Sequence, residues 1–279
     1  MARLPLARVA QDKLCLTGEL SLGRIENFAD LDSQIKELSE VVDAIHVPHH
    51  TRFSDLSLSR ILLDHGVDPI LQISSVNRSF TELELELRAA ISMGIENVLL
   101  VKGEESNEQK TGRFSATAML EHASDVRREL DAICLFGTVA KVFKPAVSWR
   151  PATLIKKVEA GARFIRTQLC FNPVQLSTYL QFLNKSGIAD TAPLIVSISV
   201  LPNAESAQWL NQNMKGTEVP AHLIKRLADS DNPEQEGIDI AVEIIAELKE
   251  MPGIGGISLI TLGDPHLIRR VAQLSELCD

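Results

Sequence analysis

The chain has 279 residues, 45% of them hydrophobic and 23% charged, and a formal net charge of -9. That length suits one large domain with a substantial core, and the acidic balance argues against a duplex nucleic-acid partner, because phosphate binding needs a positive surface. No apolar stretch approaches the roughly 18 residues needed to cross a bilayer, and MARLPLARVAQDK lacks the apolar centre of a secretory signal, so a cytoplasmic protein with no membrane partner is expected.

In chain order, β-rich apolar runs occupy Leu14 to Leu20, Val42 to Val47, Pro69 to Ser75, Asn97 to Gly103, Ala132 to Ala140, Phe164 to Phe171, Leu194 to Pro202 and Ile257 to Leu262. Between them lie segments with helical spacing. In residues 79 to 94, Leu83, Leu85, Leu87, Ala90 and Ile91 can line a core-facing stripe. Eight strands alternating with helices predict a single (β/α)8 TIM barrel spanning residues 1–279, with a doubly wound sheet as the alternative. A Rossmann sheet would want GxGxxG after its first strand, where this chain reads GELSLGRIEN. Gly253, Gly255 and Gly256 precede the last run and read as a helix stop and a loop.

Period-two alternation assigns the faces. Thr17 and Glu19, Gln72 and Ser74, Ser197 and Ser199 are expected to face the barrel axis, while Leu14 and Leu16, Leu71 and Ile73, and Val196, Ile198 and Val200 face the helices. In the sixth run Arg166, Gln168 and Cys170 share one face and Ile165, Thr167 and Leu169 the other. Burying an unpartnered amide or guanidinium costs a few kcal/mol, so Arg166 and Gln168 must have partners or face a wet cavity. Barrel sites lie at the carboxyl ends of the strands, and Glu19, Gln72, Lys102 and Gln168 all fall near such ends.

Other features are weaker. The cysteines Cys15, Cys134, Cys170 and Cys278 form no CxxC pair and read as small core residues. His46, His49 and His50 end the second run, but no acid or cysteine of matching spacing accompanies them, so no metal is assigned. Between Lys141 and Arg166 the only acid is Glu159, against Lys141, Lys144, Arg150, Lys156, Lys157, Arg163 and Arg166. Lys156 and Arg163 read as a solvated helix face, and the others leave an anionic small molecule open.

KKVEAGARFIRTQLCFNPVQLSTYL, SISVLPNAESAQWL, VLLVKGE and the stretch from VPAHLIKRL to SLITLG together resemble the methylenetetrahydrofolate reductase family over nearly the whole chain. The resemblance implies a (β/α)8 barrel that reduces 5,10-methylenetetrahydrofolate to 5-methyltetrahydrofolate with NAD(P)H. It puts Glu19 of LTGEL at the place of the family's catalytic glutamate, Gln168 at that of the glutamine contacting the pterin, and Gln208 at that of another substrate-side glutamine. The chemistry suits Glu19 as general acid, since opening the methylene bridge requires a proton on the departing nitrogen. Desolvation at a barrel mouth favours a neutral carboxyl, and the Gln168 amide can donate and accept against a pterin edge.

The same resemblance places flavin contacts at Gln72, Lys102, Gly103, Glu104, Lys141 and Lys157, and here the chain departs from the family. Gln72 replaces a histidine, Lys102 and Glu104 replace the arginine and aspartate of L-R-G-D, Lys141 and Arg150 replace a histidine and an aspartate, and Pro48 replaces a threonine. Only Gly103 and Lys157 are kept, so FAD is expected to bind differently, weakly or not at all. Three functions follow. The first is the reductase, with hydride passing through FAD or directly. The second is a folate-binding protein without reductase activity that supports one-carbon or methyl transfer beside a methyltransferase partner. The third is a metal enzyme using His46, His49 and His50.

Overall fold

The computed structural model describes residues 14–49, 53–76, 78–103, 114–214, 216–262 and 264–277. Eight parallel strands close in sequence order into a barrel: β1 Cys15–Glu19, β2 Ala44–Val47, β3 Asp68–Ser74, β4 Asn97–Val101, β5 Leu135–Ala140, β6 Ala162–Leu169, β7 Leu194–Val200 and β8 Ile254–Thr261. Each strand is followed by at least one helix, and three follow β7: Ala204–Asn213, Ala221–Asp229 and Pro233–Lys249. No helix among the described residues is long and apolar enough to cross a membrane.

The expected runs locate all eight strands, with one error at β8. Gly255 and Gly256 belong to this strand rather than to a preceding loop, and only Gly253, at φ +95°, lies in the turn before it. Gly256 is needed where β8 closes on β1, since a Cβ there would lie 2.5 Å from the Cys15 carbonyl oxygen. Glycine lowers strand propensity, which is why the pattern hides this end of β8.

Two apolar layers build the core. Leu71, Ile73, Val98, Leu100 and Phe136 pack with helix residues Leu83, Leu87, Ala90, Met119 and Leu120 on the outside of the sheet. A separate cluster of Ala44, Ile70, Leu99, Val101, Phe164 and Ile195 contains no helix residue and fills the interior. Gly137 on β5 makes room for it, because a Cβ there would overlap the Phe164 ring. The register pairs Glu19 with His46, Gln72 with Leu99, and Ser197 with Ser258, so polar and apolar side chains share the inner face.

The helix Phe80–Ser92 starts at a capping box in which Ser79 and Glu82 satisfy each other's backbone N–H groups. It buries Leu83, Leu87 and Ala90, whereas Leu85, expected on the core stripe, is 62% exposed. Residues four apart stack on one helix face, and Leu85 lies off that line. Cys15, Cys134 and Cys170 are buried and form no disulfide among the described residues, with burial pushing the Cys134 thiol up to about 12. Cys278 lies outside the described residues.

Candidate functional site

At the carboxyl ends of the strands a cavity of about 470 Å³ opens, and Glu19, Gln72, Lys102 and Gln168 all line it. Its walls are completed by Leu99, Val101 and Val139 from the barrel interior and by Met214 and Thr217 from the segment after Ala204–Asn213. The volume lies within the roughly 300–1,000 Å³ of small-molecule sites. Its apolar flank and convergent polar groups suit a flat heterocycle with hydrogen-bonding edges.

The central feature is Arg166, whose side chain is buried between three partners. Its Nη2 donates to Glu19 Oε2 at 2.5 Å, its Nε donates to Ser197 Oγ at 3.1 Å, and its Nη1 faces His46 Nδ1 at 3.5 Å. Ser197 is fixed in turn, its Oγ donating to the Thr167 carbonyl at 2.9 Å and its N–H donating to Thr167 Oγ1 at 3.0 Å. The desolvated acid expected at position 19 is therefore half of an ion pair, its side chain 19% exposed against 8% for Arg166. Burial, followed by the Arg166 charge, holds His46 well below the ordinary histidine range, so its ring is neutral and Nδ1 can accept. Its Nε2 is buried without a hydrogen-bond partner among the described residues.

Alternation brings Arg166 and Gln168 to the cavity, but Thr167 and Leu169 line it as well. The reason is a register shift between Arg166 and Leu169 where β6 meets β7. Such irregularities turn side chains at strand ends. Gly216, at φ +88°, comes so close that a Cβ would overlap Gln168 Oε1.

The remaining expected residues do not all converge here. Gly103 lines the cavity, but its φ of +75° and its contact with Val76 and Ser74, which a Cβ would overlap, give it a local packing role. Lys141 lines a neighbouring cavity of about 540 Å³ together with Lys144. Lys157 lines neither, because its Nζ donates to the Val139 carbonyl at 2.9 Å, and burial pushes its ammonium below the ordinary lysine range. Gln208 is exposed on Ala204–Asn213 and is absent from both linings, since that helix buries Ala204, Ala207 and Leu210 instead. Glu104 lies outside the described residues.

Among the histidines, His46 is inside the barrel and His49 contacts Asp55 at 2.7 Å, while His50 lies outside the described residues. No group of three or more potential metal ligands occurs among the described residues. Arg163, expected on a helix face, instead sits in β6 and donates to the Ala162 carbonyl at 2.9 Å. Pattern reading missed the segment 214–220, whose one signal was the glycine at 216 beside a valine–proline pair.

The flavin contacts implied by the resemblance do not fit FAD as the residues stand. Pro48 offers no side-chain donor, Lys157 is committed to Val139, and Lys102 and Lys141 open into different cavities.

A family model described as methylenetetrahydrofolate reductase matches residues 30–276. A Caenorhabditis elegans protein named probable methylenetetrahydrofolate reductase (NADPH) is 24% identical over 229 residues, covering 79% of this chain and 34% of that protein. Methylenetetrahydrofolate reductase 2 of Schizosaccharomyces pombe is 28% identical over 204 residues, covering 66% of this chain and 31% of that protein. The chain thus spans about a third of the length of these curated relatives. Among solved structures, a Clostridium thermocellum protein described as binding two copies of 5-methyl-5,6,7,8-tetrahydrofolic acid superposes with a TM-score of 0.67 at 16% identity over 98% of both chains. A 2,3-dimethylmalate lyase shares the fold with a TM-score of 0.54 at 12% identity, covering 91% of this chain and 78% of that one.

Proposed function

Because the chain belongs to the methylenetetrahydrofolate reductase family, we propose that it reduces 5,10-methylenetetrahydrofolate to 5-methyltetrahydrofolate with hydride from NAD(P)H. The observation that carries this reading is the meeting of Glu19 and Gln168, from opposite halves of the chain, on one cavity of about 470 Å³. In this reading the Gln168 amide takes the pterin edge, with one group to donate and one to accept. Glu19 delivers the proton that lets the nitrogen of the methylene bridge depart, leaving an iminium carbon to receive hydride.

A general acid must be able to take up a proton without wrecking its surroundings. Ser197 and His46 meet that need, since they hold the Arg166 guanidinium whether or not Glu19 is charged. His46 stays neutral and so adds no second cation beside it. Leu99, Val101 and Val139 exclude water from one side of the cavity, which protects an iminium from hydrolysis. NAD(P)H supplies the hydride and is a substrate here, bound with the folate.

The test is oxidation of NADH and NADPH in the presence of 5,10-methylenetetrahydrofolate, with and without added FAD. Turnover independent of FAD is the expected result. A folded preparation that turns over under neither condition would reject the reductase reading.

The second reading, a folate-binding protein that supports one-carbon or methyl transfer beside a methyltransferase, draws on the Clostridium thermocellum relative, which binds 5-methyltetrahydrofolic acid. Tight binding of 5-methyltetrahydrofolate without any hydride transfer would favour it.

A further inference from the structure

Glu19 stands between two spaces. One is the cavity of about 470 Å³ that it lines with Gln168, and the other is a smaller cavity of about 220 Å³ that it lines with Leu20, Ser21, Leu22, Gly23, Thr261 and Leu262. Ile260 borders both. Leu20 and Leu22 are buried, whereas Gly23 and Leu262 are exposed, so the smaller space runs from solvent to the back of the carboxyl group. A water molecule takes about 30 Å³ in the liquid, so several fit. Ser21 and Thr261 bring hydroxyls to this otherwise apolar lining, and a hydroxyl both donates and accepts.

The walls of the smaller cavity are fixed from three sides. The Leu20 N–H donates to the His46 carbonyl at 3.2 Å, the Ser21 N–H donates to Gln34 Oε1 at 2.6 Å, and Thr261 Oγ1 donates to the Val200 carbonyl at 3.4 Å. Arg166 Nη2 holds Glu19 Oε2, while Oε1 makes no hydrogen bond to a described residue. The larger cavity has the opposite requirement. Its apolar flank of Leu99, Val101 and Val139 must stay dry beside an iminium, and a folate filling it shuts Glu19 off from solvent on that side.

We propose that the smaller cavity is the proton-supply route of Glu19, in which water returns a proton to the carboxylate from behind while folate occupies the larger cavity. This rests on the reductase reading. In each turnover the Glu19 proton passes to the departing nitrogen as its bond to the bridge carbon breaks, and hydride from NAD(P)H reduces the iminium carbon. The carboxylate left behind regains one proton from bulk solvent. Supplying that proton through a separate space keeps water away from the iminium and still lets the acid recharge.

The test compares single and repeated turnover in the wild type and in two variants that obstruct the smaller cavity. Gly23→Leu adds bulk where a Cβ would meet no atom within 4 Å, and Leu262→Trp enlarges an exposed side chain at the outer end. Single-turnover reduction of bound 5,10-methylenetetrahydrofolate should keep its wild-type rate in both, because Glu19 enters with its first proton in place. Steady-state turnover should fall by about tenfold, part of what a general acid contributes, and should slow further in D₂O than the wild type does. Unchanged steady-state turnover in both variants overturns the route and leaves the reductase reading standing. Equal slowing of single and repeated turnover also overturns it, since the residues then act on the chemical step or the fold. A wild type that reduces no folate even in a single turnover overturns the reductase reading and the route together.

Discussion

Glu19 and Arg166 form one pair, but only Glu19 carries the proton. Glu19→Gln keeps an acceptor for the guanidinium while removing the titrating proton and the counter-charge of buried Arg166, so turnover should fall by about 10²- to 10⁴-fold and stability should fall as well. Arg166→Met instead leaves the Glu19 carboxylate beside a hydrophobic chain and strips Ser197 and His46 of their donor. Removing one partner of a buried pair costs about 3 kcal/mol or more, which urea denaturation will read. Wild-type turnover in Glu19→Gln would place the acid elsewhere.

His46 gives this network a pH signature. The folded ring resists protonation, while in the unfolded chain it takes up a proton near its ordinary value of 6.5. Below about pH 6.5 the unfolded state therefore binds more protons, and the His46 contribution to stability is lost as pH falls. Urea midpoints at pH 7.5 and 5.5 should show wild type losing more than His46→Gln. Parallel losses in the two proteins would refute this assignment.

Among the secondary elements, the helix Pro233–Lys249 gives the clearest expectation. Replacing a helical glycine with alanine usually stabilises by about 1 kcal/mol. Gly237 reverses the sign, because its Cβ would overlap the Leu201 carbonyl oxygen just past β7. Overpacking against backbone costs about 1–3 kcal/mol, so Gly237→Ala should lower the urea midpoint. A raised midpoint would mean that the helix can shift away from β7.

Strands were the most legible elements in the sequence, because a β-strand flanked by helices writes its burial as a run of apolar residues. The polar inner face was legible too, since alternation placed Glu19, Gln72 and Gln168 on the cavity they line. What stayed hidden arises from packing between distant segments. Gln208 falls outside both cavities because adjacent residues on a helix differ by about 100° in direction, and Ala207 takes the buried one. Nothing local announces the bond from Lys157 to the Val139 carbonyl that keeps it out of them too. The ion pair of Arg166 with Glu19 joins β6 to β1 across the barrel interior, which no spacing rule reports.

For the molecule as a whole, charge is unevenly placed. In an acidic chain of net -9, Lys141 and Lys144 line one cavity without an ion pair to a described residue. Screening shortens from about 10 Å at 0.1 M salt to about 3 Å at 1 M, so affinity for a folate should fall with salt more steeply than affinity for a neutral pterin. Equal salt slopes would count against local attraction. The freshly purified protein should also lack flavin absorbance in the near-ultraviolet and blue. A yellow preparation would show that FAD finds contacts other than those the family pattern marks.

Gly216 has a practical consequence. At φ +88° it holds a backbone shape that strains any residue with a side chain, and an added Cβ would push on Gln168 Oε1. A Gly216→Ala protein should therefore carry a displaced carboxamide at its cavity wall, and its grip on a pterin should loosen before the barrel itself does.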